Sequence, residues 1–454
     1  MTDADGGERP PRSDRPQPAQ GAEGAVPGGS RDGTRVTRAG LPESLAYTPS
    51  LPGPAFAAHY HLPGAVEGAP YSYGRDANPT WTALERAILE LEVPGSTEAP
   101  ATGTPTGSPT GELPGESGPD GEQPECVVFA SGMAALSAVL FSQLRQGDTA
   151  VLPSDGYQLL PALRERLEGF GVTVHTAPTA EEAQLPLLDG ARLLWIESPS
   201  NPVLDVCDIR RLTEAARRAG ALVAVDNTLA TPLGQRPLAL GADFAVASGT
   251  KALTGHGDVL LGYVVCRNRE LADSVRQWRK TIGAIPGPME AWLAHRSLAT
   301  LDVRTARQAA NALAVAEALE LRPEVSDVRH PGLPGDPGHA RAVRQMRRFG
   351  CVVSFTLPDL EFAERFLAAL RFVDSATSFG GVRSTAERRG RWGGDAVPEG
   401  FVRLSVGVED PADLVADLRQ ALDAAATHPP HPAPPSGANL PPHHGSHHPL
   451  PPPT

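Results

Sequence analysis

Between residues 126 and 266, strand-length apolar runs alternate with helical stretches, and this alternation restricts the possible folds more than any other feature. The runs are "CVVFA" (126–130), "TAVLP" (149–153), "RLLWIES" (192–198), "ALVAVDN" (221–227), "DFAVASG" (243–249) and "LLGYVVC" (260–266). Among the stretches between them, "SGMAALSAVLFSQL", "YQLLPALRERLEGFG" and "DIRRLTEAARRAG" have helical spacing. Runs without polar alternation indicate strands buried on both faces, and intervening helices indicate parallel crossovers. The pattern predicts an α/β domain with a mostly parallel, doubly wound sheet covered by helices.

Ligands of such sheets sit beyond the carboxyl ends of the strands. The residues that follow each run are therefore the ones to inspect. They are Ser131, Gly132 and Met133; Asp155 and Tyr157; Asn201 in "SPSNP"; Asp226, Asn227 and Thr228; and Ser248, Gly249, Thr250 and Lys251. If the sheet is parallel, all five sets converge on one crevice.

The remaining segments differ in composition. Residues 1–40, 94–125 and 427–454 are rich in Gly and Pro and poor in apolar residues, so they are expected to be disordered. His443, His444, His447 and His448 in the last of these read as a flexible His/Pro tail rather than a metal site. Residues 41–80 read as an extended arm, and 81–270 as the large domain interrupted by the 94–125 insertion. Residues 271–426 read as a helical connection followed by a smaller α+β domain. The net charge of −13 and the lack of a long basic run argue against nucleic acid and anionic membranes. The four cysteines form no CxxC pair, which suggests neither a metal site nor a disulfide framework and fits a reducing cytoplasm. No secretory signal or membrane span is expected.

The strand-end residues suit a phosphate-bearing, electrophilic cofactor. A helix opening at Gly132 and Met133 offers free N–H groups and the positive end of its dipole to a phosphate. Ser248 and Thr250 add hydroxyls. Asp226 could hold a ring nitrogen protonated, or could simply cap a turn. A lysine in a dry cleft has a lowered pKa and can attack a carbonyl. Lysine together with an Asp on a pyridinium nitrogen is the protein signature of pyridoxal 5′-phosphate.

Six ordered motifs carry a family resemblance: "YGRDANPTW" (73–81), "FASGMAA" (129–135), "IESPSNP" (196–202), "VDNTLATPLGQRPLALGAD" (225–243), "SGTKALTGHGDVLLG" (248–262) and "VRLSVGVED" (402–410). Over roughly 45–425 the chain resembles the cysteine and methionine metabolism family of pyridoxal-phosphate enzymes, which includes cystathionine γ-lyases, cystathionine γ-synthases and methionine γ-lyases. The resemblance implies the fold-type I architecture. It implies a Schiff base at Lys251, an Asp226 contact to the ring nitrogen, and Tyr157 stacked on the ring and helping to deprotonate the incoming amine. Gly132, Met133, Thr228, Ser248 and Thr250 would complete the cofactor site. Tyr73 and Arg75 would reach the phosphate of a neighbouring subunit, implying a homo-oligomer, a dimer at least and usually a tetramer. Asn201, Ser378 and Arg403 would hold the substrate carboxylate.

The activity so implied is γ-elimination on a sulfur amino acid, foremost that of a cystathionine γ-lyase. A γ-synthase is the alternative, and a methionine γ-lyase or a non-catalytic member stands behind it. Two stretches depart from the family pattern. Gln158 and Leu159 follow Tyr157 where methionine γ-lyases carry a cysteine. Residues 377–400 match only at "SFGG", with Thr377 where lyases and synthases often have Glu. Arg383, Arg388, Arg389 and Arg391 in that stretch read as a solvated charged turn, with a substrate entrance as the alternative.

Overall fold

The computed structural model describes residues 29–43, 45–66, 68–94 and 123–427. Most of the three stretches expected to be disordered, including the histidine-rich tail, lies outside the described residues.

One of two sheets has seven strands: β1 (Glu125–Phe129), β2 (Thr149–Pro153), β3 (Thr173–Ala177), β4 (Leu193–Glu197), β5 (Leu222–Asp226), β6 (Phe244–Ala247) and β7 (Gly262–Cys266). The spatial order is β1-β7-β6-β5-β4-β2-β3, and only β7 runs antiparallel to its neighbours. Every residue of β4 and β7 is buried, which is why both read as unbroken apolar runs. Strand β3 was not anticipated. Its "TVHTA" exposes Thr173, His175 and Thr176 at the sheet edge, where strand pairing needs no continuous apolar run.

Nine α-helices are described up to residue 320: α1 (Asp32–Arg38), α2 (Pro79–Glu92), α3 (Gly132–Gln143), α4 (Leu160–Gly169), α5 (Ile209–Arg218), α6 (Thr231–Gly234), α7 (Arg269–Ile282), α8 (Pro288–Leu298) and α9 (Leu301–Glu320). Side chains alternate across the sheet as the pleat requires. Val127 and Phe129 pack with α3, α4 and α7, whereas Cys126 and Val128 pack with α2 and α8. Both faces are therefore covered.

Helix α1 corrects the expectation of disorder throughout residues 1–40. Val36 is buried, and the Arg35 Nε donates to Glu90 Oε1 on α2 at 3.0 Å. Asp32 pairs with Arg236 at 3.0 Å and with Arg347 at 2.9 Å. Ion pairs to distant residues hold this helix, so its own sequence carries little apolar signal. The insertion likewise ends earlier than expected, because Glu125 already belongs to β1 and pairs with Arg269 and Arg276.

The smaller α+β unit contains β8 (Ser326–Arg329), α10 (His339–Gln345), β9 (Val352–Thr356), α11 (Leu360–Ala369), β10 (Asp374–Ser375), β11 (Thr385–Arg388), β12 (Phe401–Ser405) and α12 (Pro411–Thr427). Its sheet has the order β10-β11-β12-β9-β8, and α9, α11 and α12 bury their apolar faces against it. Strand β11 lies inside the Arg-rich stretch. Among the described residues, no helix is long and apolar enough to cross a membrane.

Candidate active site

Parallel pairing brings Glu197 and Asp226 side by side at the carboxyl ends of β4 and β5. Asp226 Oδ1 accepts hydrogen bonds from the Thr228 amide (2.9 Å) and hydroxyl (2.5 Å). Its Oδ2 receives none among the described residues. Burial holds the Asp226 carboxyl above its usual range, and the Thr228 bonds oppose that shift. The Thr228 hydroxyl in turn accepts the Ser248 amide at 2.9 Å, and the Lys251 amide donates to the Ser248 carbonyl at 3.2 Å. A short relay of backbone and hydroxyl groups thus fixes Lys251 relative to Asp226.

The Lys251 amine donates to Ser378 Oγ at 2.7 Å and sits 5.1 Å from the Phe379 ring centroid. Burial first, and the Arg403 cation second, lower its pKa from 10.5 to about 8. Ser378 has a φ of +79°, a left-handed conformation that L side chains rarely adopt. In this position its hydroxyl meets Lys251 while its carbonyl accepts from Arg403 Nη2 at 3.3 Å. Arg403, on β12, also donates from Nη1 to Asn201 Oδ1 at 2.6 Å. The structure therefore brings Asn201, Ser378, Arg403 and Lys251 together. Burial reduces the Arg403 pKa to about 10, so the guanidinium is cationic at neutral pH.

Glu197 was not singled out from the sequence. Its Oε2 accepts the Tyr157 amide at 2.8 Å and its Oε1 accepts the Asn201 amide at 3.0 Å. One carboxyl group thus sets the position of two loops that flank the crevice. Burial and the adjacent Asp226 raise its pKa well above the carboxylate range. An acidic residue ending a fully buried strand was the available sequence signal. The Tyr157 phenol is also pushed up by burial, with Arg389 and Arg403 opposing.

At the start of α3, the Ser131 hydroxyl caps the helix by accepting the Ala134 amide at 3.1 Å. The Gly132 and Met133 amides remain among the first-turn donors that a helix cannot satisfy internally. A Cβ on Gly132 would lie 2.6 Å from the Ser248 Cβ, so this close approach requires glycine. The Thr250 hydroxyl is engaged by Leu261, accepting its amide at 2.9 Å and donating to its carbonyl at 3.2 Å. It closes the loop that carries Lys251. Tyr73 and Arg75 stack on each other, 5.3 Å from guanidinium carbon to ring centroid, in the arm. Among the described residues, no hydrogen bond or ion pair joins either to the Lys251 cluster.

The reading of the Arg-rich stretch as a solvated turn is wrong for two of its four arginines. Arg388 and Arg389 are buried, whereas Arg383 and Arg391 are exposed. Arg389 donates to Glu387 Oε1 (2.8 Å), Asp395 Oδ2 (2.7 Å) and Gln158 Oε1 (3.0 Å). Arg388 pairs with Glu364 and Glu399. Acidic partners neutralise both cations, which the local sequence could not reveal. Arg389 thereby ties the stretch to the residue next to Tyr157.

These groups fit pyridoxal phosphate: an amine of depressed pKa, a carboxylate with one open oxygen, and helix-terminal amides approached through a glycine. A fold-type I sheet with this donor set defines a pyridoxal-phosphate-dependent enzyme. Comparison with known proteins gives the family. The sequence model of the Cys/Met metabolism PLP-dependent enzymes matches residues 121–423. A Streptomyces coelicolor protein named "Putative cystathionine gamma-lyase" is 67% identical over 392 residues, covering 86% of this chain and 93% of that one. Cystathionine γ-synthase of Mycobacterium tuberculosis is 37% identical, covering 79% of this chain and 88% of that one. Among solved structures, apo CalE6, described as a methionine γ-lyase from Micromonospora echinospora, superimposes with a TM-score of 0.76 at 36% identity, covering 87% of this chain and 99% of that one. The chain belongs to the Cys/Met metabolism family of PLP-dependent enzymes, and it is an enzyme of the carbon–sulfur lyase kind.

Proposed function

We propose that the protein is a cystathionine γ-lyase, converting L-cystathionine to L-cysteine, 2-oxobutanoate and ammonia. The observation that carries the chemistry is the Lys251 amine, lowered to about 8 and held at 2.7 Å from Ser378 beside the Arg403 guanidinium. The choice of substrate is supported by the name of the 67%-identical relative.

When bound, pyridoxal phosphate supplies an electrophilic carbonyl and a conjugated electron sink. Asp226 would offer its open Oδ2 to the ring nitrogen and so favour that nitrogen's protonated form. The Gly132 and Met133 amides and the Ser248 hydroxyl would take the phosphate, with Thr228 bracing Asp226; Thr250, whose hydroxyl proton is spent on the Leu261 carbonyl, would shape the loop rather than bind phosphate. Tyr157 would cover the ring; its phenol, pushed up by burial, stays protonated at neutral pH and would hydrogen-bond to the substrate amine rather than take its proton, the role the resemblance had implied. Arg403, braced by Asn201 and Ser378, holds the substrate α-carboxylate. That contact would bring the Cα hydrogen towards the Lys251 amine. Lys251 removes this proton, and as a general acid–base it returns protons after the γ-sulfur departs. The site would serve a homo-oligomer in which Tyr73 and Arg75 of the exposed arm would reach the neighbouring subunit's phosphate. The four cysteines are all free thiols, the state that a reducing cytoplasm maintains.

Cystathionine γ-synthase is the second reading, supported by the 37%-identical mycobacterial relative. The test is to offer cystathionine to the purified protein and to its Lys251→Ala variant. Release of 2-oxobutanoate by the parent alone supports the proposal. Its absence from both overturns the lyase reading.

A further inference from the structure

Arg403 is expected to bind the substrate carboxylate, yet a carboxylate from the protein already holds it. Glu387 on β11 accepts from Arg403 Nη2 in a very short charge-assisted contact. The same Glu387 oxygen, Oε1, also accepts from Arg389 Nη1 at 2.8 Å. The second oxygen accepts the Trp392 indole N–H at 2.8 Å. Arg389 is held in turn by Asp395 and Gln158. Glu387, Arg389 and Arg403 are all buried, so water screens these pairs poorly.

The guanidinium inventory makes this arrangement consequential. Arginine has five N–H donors. Both donors of Arg403 Nη2 are taken, one by Glu387 and one by the Ser378 carbonyl, and one donor of Nη1 is taken by Asn201. The two donors left, on Nε and Nη1, do not lie on one edge of the fork. A substrate carboxylate that binds in the bidentate manner must take an edge containing Nη2.

We propose that Glu387 is the resident counter-ion of Arg403, a positioning residue that competes with the substrate α-carboxylate for Nη2, and that Arg389 sets the strength of this competition by sharing the same Glu387 oxygen. This rests on the assignment of Arg403 as the carboxylate clamp. On binding, Glu387 yields the Nη2 edge and keeps Arg389 and Trp392 as partners, so no charge is stranded. Substrate affinity is thereby fixed by a residue that never touches substrate.

Opposite signs in two variants separate this from a merely structural role. The holoenzyme and its Glu387→Gln, Arg389→Gln and Arg403→Gln variants are compared for KM and kcat, and for inhibition by propionate as a carboxylate without an amine. Visible absorbance of the bound cofactor confirms that each site is formed. Glu387→Gln removes the competing charge, so propionate inhibition tightens and KM falls, each by about tenfold if one charge-assisted bond is released. Arg389→Gln leaves Glu387 to Arg403 alone, so both constants rise, with KM moving more than kcat. The inference is overturned if both variants weaken propionate binding, or if neither changes it, while Arg403→Gln does weaken it. If Arg403→Gln leaves propionate inhibition and KM unchanged, the clamp assignment itself fails.

Discussion

The Lys251 amine should be nucleophilic at neutral pH, and the structure sets by how much. Its pKa is lowered from 10.5 to about 8 by burial and by Arg403, with Glu387 opposing. At pH 7.5 a group of pKa about 8 is roughly one-quarter neutral, and one of pKa 10.5 only about one part in a thousand, so the reactive fraction rises by roughly two hundredfold. The assay is the rate at which cofactor-free protein captures added pyridoxal phosphate, followed by visible absorbance from pH 6 to about 11. The rate should rise with pH and level off with an inflection near 8. Arg403→Gln removes a neighbouring cation and should move the inflection upward, though not to 10.5, because burial is the larger cause. Glu387→Gln should move it downward. The sign for stability also follows. A lysine whose folded pKa lies below its unfolded value penalises the fold as pH falls from 10.5, fully so below about 8. A wild-type inflection near 10.5, or a downward move in Arg403→Gln, would refute the reasoning.

Three further outcomes are expected. Gly132→Ala forces a Cβ within 2.6 Å of Ser248, an overpacking cost of about 1–3 kcal/mol. Equilibrium titration should show cofactor affinity reduced about tenfold or more with circular dichroism unchanged, and unaltered affinity would count against the phosphate cradle. Arg304→Met strands the Ala252, Leu253 and Ser297 carbonyls that the buried guanidinium now satisfies. Urea denaturation should report a loss of about 3 kcal/mol or more, and a loss under 1 would show that the loop after Lys251 does not depend on it. Lys251→Ala should bind cofactor without covalent attachment, read by borohydride reduction and mass spectrometry; attachment at another residue would displace Lys251 from its role.

Strand ends were the most legible part of the site. The buried runs before Tyr157, Asn201, Asp226 and Lys251 are apolar on both faces, so the sequence pattern marks where each strand stops. Elements stabilised from far away were not legible. Helix α1 depends on Glu90, Arg236 and Arg347, and Arg389 depends on Gln158, so local polarity pointed to solvent in both cases. Strand β3 escaped notice because three of its five residues are exposed at the sheet edge, on both faces, so no apolar run or clean alternation marks it. Glu197 was passed over because its work is done through backbone amides rather than through its own chemistry.

The most direct test of the account is a paired product assay on the holoenzyme. Cystathionine is offered alone, and an acylated homoserine is offered with cysteine, with 2-oxobutanoate and cystathionine measured in each. The account predicts 2-oxobutanoate and cysteine from cystathionine at a kcat/KM well above any rate of cystathionine synthesis. Efficient cystathionine synthesis, with no 2-oxobutanoate from cystathionine, would contradict it.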